Sequence, residues 1–375
     1  MITTKLCHKN FIHIFPNEKF TDEFIDFINE DFNQTNHRFL LYGNSYKVNS
    51  LNKENVIPIK GRFIGWIQLV PMLYKCQGII LHSFYPRQIQ LLLLIQPWLL
   101  KKLNIVFWGA DLYSYLEPKD SMKQRFFEFA RCFIIRNCGY VTTLVKEDYM
   151  LVKKWYKHKG VDFLGIYVDK SYELLKALKE EKELKKAGDT INILIGNNAQ
   201  ESNEHIEALN ILEKYKDYNI KIYVPLSYSG TENYKEYVIA RGKKIFGEKF
   251  IPIVDFVPKK QYYNHLKDID IAIFNNNRQQ AMGNIAALTL LGAKVYIRDD
   301  TTMWNHFVLD NGFRLYSMNS ICELNFDSFI YKNINDLDHN TKMVKTLMSE
   351  EKRYQIWSDI FEKMKIHSKL NEDAK

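Results

Sequence analysis

Short apolar runs alternate with helix-period segments along almost the whole chain, and this constrains the fold more than any single motif. Apolar strands separated by amphipathic helices pair in parallel and need helices on both faces of the sheet. In the first half, Phe11 to Phe15, Phe39 to Tyr42, Gly78 to His82, Ile105 to Trp108 and Tyr140 to Thr143 read as strands. Helices are expected over Thr21 to Asp31, Trp66 to Cys76, Gln88 to Leu100, Ser121 to Arg136 and Lys146 to Lys157. A second alternation has strands at Ile191 to Ile195, Ile220 to Val224, Phe250 to Val254, Ile271 to Phe274 and Lys294 to Ile297.

A length of 375 residues exceeds what one core usually covers. The expected division is a Rossmann-like domain over 1–170, a charged surface helix as linker over 171–189, a second Rossmann-like domain over 190–338 and amphipathic helices over 339–375. Two such α/β halves would face each other across a cleft, with ligands outside the carboxyl ends of the strands.

The net charge of +8, from 52 Lys and Arg against 44 Asp and Glu, suggests an anionic partner: nucleotide, phospholipid or nucleic acid. No nucleic-acid reading module is recognisable, which argues against the last. Five scattered cysteines with no C-x-x-C pair fit a reducing cytosol better than a disulfide framework or zinc site. No secretory signal is apparent at the N-terminus. The most apolar window, Gln90 to Leu103, is too short to span a bilayer. It reads as a buried helix or as an interfacial one, with Trp98 at headgroup level and Lys101 and Lys102 on anionic lipid.

Polar segments follow the strands where a ligand would sit. Ile193 to His205 runs from strand through Gly196 and a polar loop into a helix, with Ser202 as N-cap and Glu204 in the first turn; unpaired N–H groups there suit a phosphate. Phe107 to Tyr113, Val224 to Tyr228 and Asn275 to Asn284 occupy equivalent places. The residues by themselves reach a two-domain αβ protein that binds a phosphorylated ligand.

The blocks F-W-G-A-D-L-Y, I-L-I-G-N-N-A-Q-E-S-N-E-H-I-E-A-L, Y-V-P-L-S-Y and N-R-Q-Q-A-M-G-N resemble, in order and spacing, the TDP-N-acetylfucosamine:lipid II N-acetylfucosaminyltransferases. The resemblance covers roughly Gly78 to Trp304. It implies a GT-B glycosyltransferase at the cytoplasmic face of the bacterial inner membrane. Such an enzyme moves 4-acetamido-4,6-dideoxygalactose from a dTDP-sugar to a polyprenyl-diphosphate-linked saccharide in enterobacterial common antigen synthesis. Two blocks depart from the family: His82-Ser83-Phe84 stands where His-Gly-Gln is usual, and Arg278-Gln279-Gln280-Ala281-Met282-Gly283-Asn284 where R-Q-Q-G-I-G-T is usual.

On this reading catalysis needs no metal, and the departing diphosphate is stabilised by helix starts and basic side chains. Gly196, Asn197, Asn198 and Ser202 form one entrance; Gln280, Gly283 and Asn284 form the other, with Arg278 as a fork to phosphate oxygens. His205 would orient a phosphate or sugar hydroxyl. Pro225, Tyr228 and Phe256 would hold the base or the apolar part of the sugar. Asp111 and His82 are the candidate bases. Bland readings stand beside these: Asp111 as a helix cap, His82 as a satisfied core histidine, His205 on a helix surface, Arg278 in a surface ion pair and Gly283 as a packing residue. Asp268-Ile269-Asp270 has the D-x-D form but stands before a strand, not after one, which disfavours a metal site. Lys123, Arg125, Arg131, Lys153, Lys154 and Lys157, interleaved with aromatics, read as a surface toward anionic lipid or as solvated helix faces. A UDP- or GDP-sugar transferase and a nucleotide-sugar epimerase are the competing activities.

Overall fold

In the computed structural model, residues 10–18, 20–43, 48–59, 64–167, 170–182, 185–186 and 188–373 are described. The chain forms two compact units, one of Met1–Val168 with Glu350–Lys375 and one of Asp169–Ser349.

The first unit is built on seven parallel strands: β1 (Phe11–Pro16), β2 (His37–Tyr42), β3 (Val56–Pro58), β4 (Gly78–His82), β5 (Leu103–Val106), β6 (Tyr140–Thr143) and β7 (Val161–Leu164), in the order β3-β2-β1-β4-β5-β6-β7. The outermost strands β3 and β7 were not expected. They are short and partly exposed, so they carry no continuous apolar run. One sheet face contributes Ile12, Ile14, Leu40, Ile79 and Leu81 to a core shared with the helices Arg87–Ile95 and Met122–Asn137. The other face presents Phe11, Phe15, Phe39 and Ile80 to a second cluster that includes Phe24, Trp357, Ile360 and Phe361.

That second cluster corrects the expected domain ends. The helix Glu350–Asp373 belongs to the first unit, whereas the preceding helix Ile334–Leu347 stays in the second. Trp357 is fully buried and donates from Nε1 to the Ile166 carbonyl at 2.8 Å. A buried ring of that size is worth on the order of 3 kcal/mol, enough to fix the terminal helix. The segment expected as a linker also differs: helix Tyr172–Glu180 buries Leu175 and Leu178, and Lys182 Nζ donates to the Ile269 carbonyl at 2.8 Å. It packs as part of the second unit.

Prolines explain the two helices that came out shorter than expected. Trp66 to Cys76 breaks into Ile64–Ile67 and Val70–Lys75, with Pro71 in the first turn of the latter. The helix Arg87–Ile95 stops before Gln96-Pro97, since the residue before a proline disfavours helical backbone.

The second unit holds β8 (Ile191–Ile195), β9 (Ile220–Pro225), β10 (Phe250–Ile253), β11 (Ile271–Phe274), β12 (Lys294–Ile297) and the two-residue β13 (Tyr316–Ser317). Their order is β10-β9-β8-β11-β12-β13, again all parallel. Both units are therefore Rossmann-like, as the alternation of strands and helices implied. In each, strand order reverses once, between β1 and β4 and between β8 and β11. Doubly wound sheets bind ligands at the carboxyl end of that switch point.

Candidate functional site

In the second unit the loops after β8 and β11 meet at the switch point. β8 is followed by Gly196, whose φ is +70° and whose N–H reaches the Ile273 carbonyl at 2.9 Å. A Cβ there would stand 2.7 Å from His205 Nε2 and 2.8 Å from Asn203 Oδ1, so only glycine fits. Asn203, fully buried, is the hub of the loop. Its Oδ1 accepts from Asn197 N at 3.1 Å and Asn276 Nδ2 at 3.0 Å. Its Nδ2 donates to Asn198 Oδ1 at 2.9 Å and to the Asn198 and Gln200 carbonyls.

Gln280 ties the second loop to the first. Its Nε2 donates to Asn197 Oδ1 at 3.0 Å and Asn198 Oδ1 at 3.1 Å, and its Oε1 accepts from Ser202 Oγ at 2.7 Å. Arg278 spans the same gap, from Nη2 to Gln200 Oε1 at 2.6 Å and from Nη1 to the Gln279 carbonyl at 3.0 Å. It is half-buried between the loops.

Three details of the first loop differ from expectation. The N-cap of helix His205–Leu212 is Glu204, in left-handed backbone, and not Ser202, which lies in the preceding 3-10 turn. His205 is the first helical residue and fully buried, with Nδ1 3.2 Å from Tyr234 Oη. Burial pulls its pKa from 6.5 to about 4, so it is neutral. It is no surface histidine.

Three buried polar atoms around this switch have no hydrogen-bond partner: His205 Nε2, Asn276 Oδ1 and Gln279 Oε1. Buried polar groups are rarely left so, because each costs about 1–3 kcal/mol. The helix Met282–Leu290 starts beside them, capped by Ala281 at φ +60°. Its first N–H groups have no intrahelical acceptor and carry the positive end of the helix dipole. Gly283 is exposed, and a Cβ on it would meet nothing within 4 Å, so helix packing is not what this glycine serves. Asn284 Nδ2 donates to Tyr262 Oη at 3.1 Å. Pro225 ends β9, buried; Tyr228 is half-buried and its hydroxyl is 3.4 Å from Asn197 Nδ2; Phe256 is 61 % exposed.

Asp270 lies at the opposite, amino end of the sheet. It accepts from Asn192 N at 2.9 Å and pairs with Lys185 and Lys332. Its role is structural. Among the described residues no group of three His, Cys, Asp or Glu side chains could hold a metal ion.

In the first unit Asp111 ties two turns together. It is fully buried; Oδ2 accepts from Phe84 N at 2.9 Å, and Oδ1 from Trp108 N at 2.8 Å and Leu112 N at 3.1 Å. Burial raises its pKa, against the pull of Arg131 and those N–H groups. The carboxylate clamps the turn after β4 to the turn after β5. Arg131, expected toward lipid, is buried as well: it donates to the Asp111 carbonyl and, from Nε, to Tyr156 Oη at 3.0 Å.

His82 is also fully buried, but inside a polar chain. His37 Nδ1 is 3.0 Å from His13 Nε2, His13 Nδ1 is 3.1 Å from His82 Nε2, and His82 Nδ1 is 2.6 Å from Tyr167 Oη. Trp108 Nε1 donates to the same hydroxyl at 2.6 Å. Burial keeps all three imidazoles neutral, His37 at about 3 and the other two well below the usual value.

Lys123, Arg125, Lys153, Lys154 and Lys157 are all exposed. On helix Met122–Asn137 the apolar residues Met122, Phe126 and Phe129, spaced i, i+4, i+7, are 80 %, 46 % and 64 % exposed. Ile95 and Trp98 are exposed too, whereas Lys102 is occupied by the Tyr74 and Cys76 carbonyls. No helix among the described residues is long and apolar enough to cross a membrane.

Sequence reasoning missed Asn203, Asn276 and Gln279, and the partners His13, His37 and Tyr167. Asn203 lies in the polar loop that follows Gly196, yet nothing there marks it among the three asparagines Asn197, Asn198 and Asn203 as the hub. Two of the histidines did leave a signal: His13 and His82 are each the one polar residue of an otherwise apolar strand, whereas Arg38 stands beside His37 in β2.

Residues 69–342, well over half of the chain, match the family model described as 4-alpha-L-fucosyltransferase, glycosyl transferase group 56. Among solved structures, a glycosyltransferase from Rickettsia africae superposes with a TM-score of 0.65 at 13 % identity, covering 95 % of this chain and 98 % of that one. WaaG, a glycosyltransferase involved in lipopolysaccharide biosynthesis, gives 0.60 at 11 % identity, with 94 % and 99 % covered. An alpha,alpha-trehalose-phosphate synthase (UDP-forming) from Burkholderia vietnamiensis gives 0.61 at 8 % identity, with 93 % and 98 % covered. At such identities the likeness is one of fold, the two-domain GT-B type.

Proposed function

The chain belongs to the 4-alpha-L-fucosyltransferase family, glycosyl transferase group 56, and from that premise we propose which unit holds which substrate. It is a nucleotide-sugar-dependent glycosyltransferase. The family transfers 4-acetamido-4,6-dideoxygalactose from a dTDP-sugar to a lipid-linked acceptor in enterobacterial common antigen synthesis. In our reading the second unit binds the dTDP-sugar and the first receives a polyprenyl-diphosphate-linked saccharide at the cytoplasmic face of the inner membrane.

The observation that carries the donor assignment is the switch point of the second sheet. Two polar loops are locked together by Gln280, and buried acceptors lie unsatisfied beside a helix start whose second residue, Gly283, is bare. A diphosphate on the N–H groups at Gly283 and Asn284 needs no metal to offset its charge. Gly196, Asn197, Asn198 and Ser202 shape the other wall. Arg278 braces the loops through Gln200 and Gln279 and adds positive potential. Tyr228 and Phe256 offer ring surface to the base. His205, neutral and with Nε2 unpaired, suits a sugar or phosphate oxygen.

Calorimetric titration with dTDP, UDP and GDP tests this. Selective micromolar binding of dTDP is expected, weakened about tenfold or more in Gln280→Ala, since loss of a bridging amide leaves its partners unpaired. Selective UDP or GDP binding changes the donor; unchanged affinity in the variant removes the site.

The exposed Met122, Phe126, Phe129 stripe beside Lys123 and Arg125 supports peripheral attachment to anionic lipid. Co-sedimentation with phosphatidylglycerol-containing vesicles should fall several-fold in a Phe126→Ser/Phe129→Ser variant, each buried ring being worth roughly 2 kcal/mol. Equal pelleting of the variant sinks the membrane face.

A further inference from the structure

Three histidines in an aromatic core are expensive unless their ring nitrogens are matched, and here both nitrogens of His13 and of His82, and Nδ1 of His37, have a partner. The chain crosses one sheet face diagonally. His37 opens β2 at the amino edge, His13 sits mid-strand in β1, and His82 closes β4 at the carboxyl edge beside Tyr167 and Trp108. Phe39 stacks on His13 at 4.6 Å and Phe15 on His82 at 4.1 Å, so the path is walled by rings.

A neutral imidazole has one N–H and one bare nitrogen. His13 and His82, bonded at both nitrogens, and His37, bonded at Nδ1, must therefore all point the same way along the chain. The Trp108 indole can only donate, and it takes one lone pair of the Tyr167 oxygen. Tyr167 then gives its own proton to His82 Nδ1. His82 Nε2–H gives to His13 Nδ1, and His13 Nε2–H to His37 Nδ1. Reversing every bond is the second self-consistent state.

We propose that this chain is a proton relay, which takes the proton shed by the acceptor hydroxyl at the carboxyl edge of the first sheet and releases one at the amino edge. The inference rests on the reading above, that the acceptor is received by the first unit. The acceptor oxygen forms the new bond to the sugar carbon as the bond to the diphosphate breaks, and its proton passes, directly or through one water, to the Tyr167 oxygen. Tyr167 hands its own proton to His82 Nδ1, His82 passes one from Nε2 to His13 Nδ1, and His13 passes one from Nε2 to His37 Nδ1. His37 loses its Nε2 proton to solvent, so one proton enters, one leaves and no ring keeps a charge. The charged and titratable groups facing the path are Lys365 at His37, and Asp111 and Tyr42 at Tyr167. Lys365 discourages His37 from holding the proton, which favours release. Asp111 is fully buried and already accepts three backbone N–H bonds, and it takes no part in this path. His13, His82 and His37 act through Tyr167 and are positioning and relay groups.

The test uses full-length protein and His13→Gln, which keeps hydrogen bonding but cannot pass a proton by changing tautomer. Transfer kinetics are followed from pH 6 to 9 in H2O and D2O, with the melting temperature as control. The expected result is kcat lower by about tenfold to a hundredfold, KM unchanged, partial recovery at high pH and a larger solvent isotope effect. A folded His13→Gln with wild-type kcat and pH profile overturns the relay. Nitrogen-15 NMR of the imidazoles gives a readout that needs no activity: His82, His13 and His37 should carry the same tautomer, all Nε2–H or all Nδ1–H. Mixed tautomers also overturn it. If wild-type protein transfers no sugar while the three tautomers agree, it is the acceptor reading that fails and not the coupled chain.

Discussion

The two units share strand order and switch point, yet they fill the switch with different chemistry. In the second it is a cluster of amides at the sheet edge, Asn197, Asn198, Asn203, Asn276 and Gln280. In the first it is a row of imidazoles carried through the core, His37, His13 and His82. An amide donates and accepts at every pH, so the second cluster can brace two loops without charge. An imidazole does the same work but titrates, so its bonding changes when protons move. Topology decides where polar groups collect, and residue type decides whether they hold a shape or answer to protons.

The largest expected effect is acid sensitivity confined to one side of this comparison. His13, His37 and His82 have folded pKa values lowered from 6.5, His37 to about 3, and His158 is shifted the same way. Below pH 6.5 the unfolded chain binds more protons than the folded one. Stability is therefore full above pH 6.5 and drains as pH falls toward those folded values. At pH 5 each deeply buried histidine costs about 2 kcal/mol. In the second unit His205 is lowered to about 4. Hydrogen exchange read by mass spectrometry between pH 7.5 and 4.5 should show the first unit losing protection earlier; simultaneous loss would break the contrast.

A smaller effect pairs one position in each unit. Ser83 at φ +67° and Ala281 at φ +60° occupy left-handed backbone, each where the family usually has glycine. Such a conformation costs an L-residue about 1–2 kcal/mol, partly offset by the looser unfolded chain that glycine brings. Ala281→Gly should gain roughly 0.5–1 kcal/mol in urea unfolding. Ser83→Gly should gain about 1 kcal/mol more, because it also removes a buried hydroxyl with no partner. A loss at either position would mean that the side chain holds its turn.

The blocks at 107–113, 193–209 and 275–284 were legible as sites because each follows an apolar strand, and strand followed by polar loop is a local pattern. The roles inside them were less so. Asp111 reads equally as base or cap, and only the tertiary structure brings Phe84 N and Trp108 N to its carboxylate. Arg131 stands in a basic, aromatic helix, and only the turn of that helix puts it inward against Tyr156. The family's glycines at 83 and 281 acquired a reason once the backbone angles were known.

What the sequence determined by itself is local: apolar runs of strand length, helical periods between them and prolines that cut two helices short, which together dictate two parallel sheets. What tertiary structure decided is every contact between residues far apart in the chain. The terminal helix returns to the first unit because Trp357 finds its cavity there, 191 residues from the Ile166 carbonyl it binds. His37, His13 and His82 become one chain because parallel pairing sets β2, β1 and β4 side by side in a register that no short-range pattern encodes.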